Sequence, residues 1–212
     1  MKPLAILGGT FDPVHIGHLR VAWEAAEALD AEVRLVPAHV PPHRPQPQAS
    51  PAHRVAMLRL ALAGQSRLAV DERELSREGP SYTVDTLREL RREVGPKRSL
   101  LLLVGADAYA ALPTWHDWLE LYALAHLVVL TRPGHPVEWS GVLALETRER
   151  RVGTAAALHE VPTGRVLELS VTPLEVSASH VRAEFVAGRE PRYLVPEAAL
   201  AYIRTHGLYA AR

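Results

Sequence analysis

The chain has 212 residues, 24 basic against 24 acidic, no cysteine, 13 glycines and 17 prolines. With 48% hydrophobic and 23% charged residues it can bury a sizeable core, which excludes a disordered or fibrous chain. Zero formal net charge argues against coating nucleic acid or an anionic membrane, and the absence of cysteine excludes disulfides and thiolate chemistry and points to the cytoplasm.

In chain order, Leu4–Leu7 predicts a first strand, and the apolar stretch within the N-terminal MKPLAILGGTFDP is too short for a signal peptide. Leu19, Ala22, Trp23 and Ala26 form the stripe of a first helix, and Val33–Val36 predicts a second strand. Pro37–Pro51 then carries six prolines with His39, His43 and Arg44, a long stiff loop. Val84, Leu87 and Val94 mark another helix, followed by strands at Leu100–Val104, Leu127–Leu130 and Val166–Val171. Gly134 to about Gly153 is less regular and reads as a surface excursion. At the end, Pro196 is expected as the first residue of a helix with Leu200 and Ile203 inward and Gly207 as its stop. There is no repeat and no composition break, so one domain over 1–212 is expected. Alternating strands and helices imply an α/β fold with a mostly parallel sheet and helices on both faces. Ligands of such sheets bind beyond the carboxyl ends of the strands, here the loops after Leu7, Val36, Val104 and Leu130.

The first of these loops reads GGTFDPVHIGHL, Gly8 to Leu19. Gly8 and Gly9 permit positive φ and close approach of a ligand, and Asp12 before Pro13 suits a helix cap. His15 and His18, three apart, would project to one side of a first helical turn, with Gly17 keeping that side low. A helix N-terminus and two imidazoles converging on one point suit phosphate. The bland alternative is a glycine turn followed by a surface histidine pair. No Walker lysine is present, which argues against phosphoryl transfer of the kinase type. Further on, VSASHVR (Val176–Arg182) offers Ser177 as a cap, Ser179 as a hydroxyl and Arg182 as a planar fork, or else a plain capped helix with a surface arginine.

GGTFDPVHIGHL resembles the signature of the nucleotidylyltransferase superfamily, a glycine-rich turn leading into His-x-Gly-His. The resemblance implies a Rossmann-like sheet and transfer of a nucleotidyl group from a triphosphate. His15 and His18 would then hold the triphosphate at the α-phosphate, with Gly8, Gly9, Thr10 and Gly17 around it. VSASHVR resembles the superfamily's second motif, approximately Ser-Ser-Thr-x-Ile-Arg, with Ala178 in place of the middle serine. It would make Ser177, Ser179 and Arg182 part of the ATP site, with Arg182 catalytic beside the histidines. The implied chemistry is in-line attack on the α-phosphorus without a covalent intermediate, with Mg²⁺ bound to the ATP phosphates and no protein metal site.

Three segments resemble the bacterial nicotinate-mononucleotide adenylyltransferases: PAHVPPHR (Pro37–Arg44), GPSYTVDTL (Gly79–Leu87) and GADAYAALPTWHDW (Gly105–Trp118). With the C-terminal VPEAALAYIRTHGLY the resemblance covers nearly the whole chain, least over 137–164. It implies ATP and nicotinate mononucleotide as substrates. Thr83 at a helix start would take the nicotinate carboxylate, Trp115 would stack on the ring, and His43, Arg44 and Arg132 would reach the acceptor's phosphate. Gly105 and Asp107 would line the nucleotide, Asp107 at ribose hydroxyls.

Plainer roles stand beside these. Trp115 and Trp118 also suit the core, Asp107 a cap, and Arg88 to Arg98, alternating with glutamate, a solvated helix face. His39, His43 and His53 match no zinc spacing. The alternatives are another acceptor, nicotinamide mononucleotide or phosphopantetheine, or a nucleotide-sensing module without turnover. A fragment of a class I aminoacyl-tRNA synthetase is disfavoured, because Lys2 and Lys97 are the only lysines. A homo-oligomer is left open, and neither nucleic acid nor membrane is expected as a partner.

Overall fold

The computed structural model describes residues 1–42 and 45–210. In chain order the elements are β1 (Leu4–Gly9), α1 (Ile16–Ala28), β2 (Glu32–Pro37), α2 (Pro51–Ala61), β3 (Leu68–Val70), α3 (Thr83–Val94), β4 (Leu100–Gly105) and α4 (Ala106–Ala110). They continue as α5 (Leu121–Leu124), β5 (His126–Thr131), α6 (Gly141–Thr147), β6 (Arg151–Val152), β7 (Val166–Ser170), α7 (Ala178–Val186) and α8 (Glu197–Thr205). Among the described residues the strands form one sheet in the order β3-β2-β1-β4-β5-β7-β6, with every pairing parallel.

Alternation along the strands divides the core between the two faces. Ala5, Val33, Leu35, Leu101, Leu103, Val128 and Leu130 join a cluster with Ala22 and Ala26 of α1, Leu58 of α2 and Ile203 of α8. Leu4, Ile6, Leu100, Leu102, Leu127 and Val129 face the other way, onto Val84, Leu87 and Leu90 of α3 and Leu121 of α5. Helices on both faces therefore follow from two-sided apolar strands. All five expected strands are present. The two edge strands β3 and β6, three and two residues long, are too short to leave an apolar run. Pro196 is the cap of α8 rather than its first helical residue, since its ψ of 138° is extended, and Gly207 takes φ +59° just past the helix end.

The arginine run on α3 is not simply a solvated face. Arg91 donates to the carbonyls of Leu124, Gly95, Arg98 and Pro162, tying together the segments that enter β4, β5 and β7. His126, fully buried at the start of β5, donates from Nε2 to the Val161 carbonyl and accepts the Arg165 amide at Nδ1, both at 2.9 Å. No helix among the described residues is long and apolar enough to cross a membrane.

Candidate active site

The strand order reverses between β1 and β4, where β1 runs to β2 on one side and β4 to β5 on the other. A crevice opens at such a point beyond the carboxyl ends. Gly8 and Gly9 end β1 on one side of it and Gly105, the cap of α4, ends β4 on the other. Both phosphate motifs converge here.

The loop from Gly8 to His18 differs from expectation in two ways. Neither Gly8 nor Gly9 has positive φ, because β1 stays paired with β2 as far as Gly9 opposite Pro37. Phe11 takes the left-handed conformation instead, at φ +50°. Its ring lies over Gly9, where an added Cβ would come within 3.0 Å of it, whereas a Cβ on Gly8 would meet nothing within 4 Å. Gly9 thus makes room for Phe11, and Gly8 leaves the backbone open. Asp12 caps no helix either: its buried carboxylate accepts the amides of Gln48 and Ala49 and the hydroxyl of Tyr209. The cap of α1 is His15, at φ −140°.

His15 and His18 do lie on one side, their rings stacked at 3.7 Å between centroids. The His15 amide donates to Nδ1 of His18 at 3.4 Å, which places the ring proton of neutral His18 on Nε2. His15 is buried, and its Nδ1 has no hydrogen-bond partner among the described residues. Burial pushes the His15 imidazole down to about 4, so it is neutral at pH 7. Gly17 is required where it stands, since a Cβ would come within 2.9 Å of Val176 and 3.1 Å of His15 Nδ1. The Ile16 amide, first of the helix, is already taken by the Leu194 carbonyl at 2.9 Å.

Ser177 caps α7 as expected, accepting the His180 amide at 3.1 Å. Arg182, one turn in, donates from Nη2 to the Ser179 hydroxyl at 3.2 Å and from Nη1 to the Asp12 carbonyl at 2.6 Å. The second motif is thereby bonded to the first across 170 residues. Beneath them Arg54 donates to the Thr10 carbonyl at 2.7 Å, holding the loop from behind.

The acceptor segments also meet. The Ser81 hydroxyl accepts the amides of His39 and Val40, and the Ser81 amide donates to the Val40 carbonyl, so the loop after β2 is pinned to the start of α3. Thr83 opens α3, as predicted. Tyr82 packs its ring on His116 at 4.5 Å, joining this start to the Trp115 turn. Arg88 bonds Asp85, Asp117 and Glu120, fastening α3 to the same turn. Trp115 and Trp118 are both half-buried against the core. Glu74, buried under this junction, accepts the Thr86 hydroxyl, and burial pushes its carboxyl up.

Not every expected residue is drawn in. Asp107 is exposed in the short α4 beside the crevice, and Arg132 is exposed beyond β5, one strand further along. His43 and Arg44 lie outside the described residues. Ser81, Tyr82, His116, Arg54 and Tyr209 were not singled out from sequence. Ser81, Tyr82, His116 and Tyr209 stand inside quoted segments without having been picked out there, while Arg54 lies outside them all.

The chain matches the cytidylyltransferase-like family model over residues 6–184. It is 50% identical over 208 residues to a probable nicotinate-nucleotide adenylyltransferase of Marinobacter nauticus, covering 98% of this chain and 96% of that protein. A relative of the same name from Dechloromonas aromatica is 48% identical, covering 98% of each chain. The solved structure of Plasmodium falciparum nicotinic acid mononucleotide adenylyltransferase complexed with NaAD shares the fold, with a TM-score of 0.74 at 15% identity over 99% of this chain and 98% of that one. On the two phosphate motifs, their convergence at the strand reversal and this full-length kinship, the chain belongs to the nicotinate-nucleotide adenylyltransferases of the cytidylyltransferase-like family.

Proposed function

We infer that the chain transfers the adenylyl group of ATP to nicotinate mononucleotide, giving deamido-NAD and pyrophosphate in NAD biosynthesis. The observation that carries this reading is the bond from Arg182 to the Asp12 carbonyl, which unites both phosphate motifs beside the joined acceptor segments. A phosphate oxygen of the acceptor attacks the α-phosphorus of ATP, the bond from that phosphorus to the bridging oxygen breaks, and pyrophosphate leaves. No protein nucleophile is needed, so the residues bind, orient and stabilise charge.

The His18 Nε2–H donates to the α-phosphate, and His15, neutral when the site is empty of anion, gains in that phosphate a partner for its buried nitrogen. Arg182, Ser177, Ser179 and the open backbone at Gly8 to Thr10 hold the remaining phosphate oxygens, with Gly105 and Asp107 at the nucleoside. The α3 amide end and the Thr83 hydroxyl take the nicotinate carboxylate and Trp115 faces its ring, with His43, Arg44 and Arg132 serving the acceptor's phosphate.

Among the described residues no three His, Asp or Glu side chains converge on a metal site, and the loop's Asp12 already accepts three hydrogen bonds. Imidazole and guanidinium donors fit phosphate oxygens, so magnesium fits as an ion carried by the triphosphate and water. When bound it neutralises charge on the departing pyrophosphate. A cytoplasmic location suits a chain without cysteine. The test is product analysis with ATP, magnesium and nicotinate mononucleotide. Equimolar pyrophosphate and dinucleotide are expected, and hydrolysis of ATP to other products would refute the reading.

A further inference from the structure

A buried hub lies behind the phosphate loop, and the C-terminal Tyr209 is part of it. Asp12 is 3% exposed, and its carboxylate accepts the Gln48 amide at 2.7 Å, the Ala49 amide at 3.0 Å and the Tyr209 hydroxyl at 2.7 Å. Its carbonyl carries Arg182. The Tyr209 ring also meets Phe185 at 6.1 Å between centroids, and Phe185 follows Arg182 by three residues on α7. Tyr209 itself sits at φ +63°, a conformation bulky residues rarely adopt, so its burial and its hydroxyl bond hold it against local preference.

We propose that Tyr209 is a positioning residue for adenylyl transfer, holding Arg182 in line with the triphosphate through Asp12 on one side and Phe185 on the other. The inference rests on the function proposed above. Its physical basis is a competition. Arg182 Nη1 lies 3.8 Å from Oδ2 of Asp12, outside hydrogen-bond range but close enough that a freed carboxylate would capture it. The Gln48 amide holds Oδ2, and the Ala49 amide and the Tyr209 hydroxyl hold Oδ1; together they fix the rotation of the carboxylate and leave the guanidinium on the carbonyl and on Ser179, with its remaining N–H groups available to phosphate. Burial and the adjacent carboxylate push the Tyr209 hydroxyl up, so it remains a donor at every working pH.

Tyr209→Phe removes the hydroxyl and keeps the ring. The expected result is an approximately tenfold fall in kcat and a matching rise in the Kd of Mg-ATP measured by calorimetry, with the acceptor KM within about twofold of wild type. In an Arg182→Ala background the same change adds no more than about twofold, because Tyr209 acts through Arg182. A folded Tyr209→Phe enzyme with unchanged kcat and ATP affinity overturns the proposal, as does a fully multiplicative double variant. Should Tyr209→Phe fail to fold, Phe185→Leu keeps the hydroxyl bond and decides the matter: weaker ATP binding supports the proposal and wild-type binding overturns it. A wild-type enzyme inert towards nicotinate mononucleotide would refute the function, while the ATP titrations would still decide the role of Tyr209.

Discussion

In the function proposed above, His15 and His18 divide the work of one phosphate contact. His18 has its proton directed by the backbone of His15, so it presents a donor; His18→Ala should lower kcat about 100- to 1,000-fold while leaving the melting temperature close to wild type. An early-melting variant would make His18 structural instead. His15 has a consequence for stability. Its native imidazole titrates at about 4 against an ordinary 6.5 because burial disfavours the charged form. Above pH 6.5 neither state binds the proton, so nothing is lost there. As the pH falls from 6.5 towards 4 the unfolded chain takes up the proton and the native one does not. Stability therefore drops with acidity, by about 3 kcal/mol at most from this residue. His126, lowered by burial in the same sense, adds to the slope. Urea unfolding at pH 7 and pH 5 checks this: His15→Gln should show a smaller loss between the two than wild type, and an equal loss would contradict it.

The proposed acceptor side is built by the junction of three elements rather than by any single motif. Ser81 clasps the loop after β2, Tyr82 meets His116, and Trp115 leans on the core from the turn after α4. Trp115→Ala should raise the acceptor KM far more than the ATP KM, since the phosphate motifs stand on β1 and α7. Equal rises would remove Trp115 from the nicotinate side. How much of this could be read in advance depended on how local the signal was. Five strands, the two-faced sheet, the cap at Ser177 and the paired histidines are all expressed in adjacent residues. The role of Asp12 was not legible, because its partners Gln48, Ala49, Arg182 and Tyr209 lie between 36 and 197 residues away. Arg91 looked like one more exposed arginine for the same reason: its carbonyl partners come from three other segments.

Across the whole molecule, stability and chemistry sit at opposite ends of the sheet. Arg91 joins the segments entering β4, β5 and β7, while the proposed phosphate and acceptor sites lie beyond the strands' carboxyl ends. Arg91→Ala leaves several carbonyls without their donor and should destabilise the fold by about 2 kcal/mol, with kcat and both KM values unchanged below the melting range. A fall in kcat in the folded variant would show that the two ends are coupled. The central claim concerns the acceptor: in the function proposed above, the α3 start takes a carboxylate through the Thr83 hydroxyl and the amides of its first two residues. The decisive measurement is pyrophosphate release with ATP and magnesium, comparing kcat/KM for nicotinate mononucleotide and nicotinamide mononucleotide in separate reactions. The account predicts a preference for the acid of at least about tenfold. Equal rates, or a preference for the amide, would contradict it.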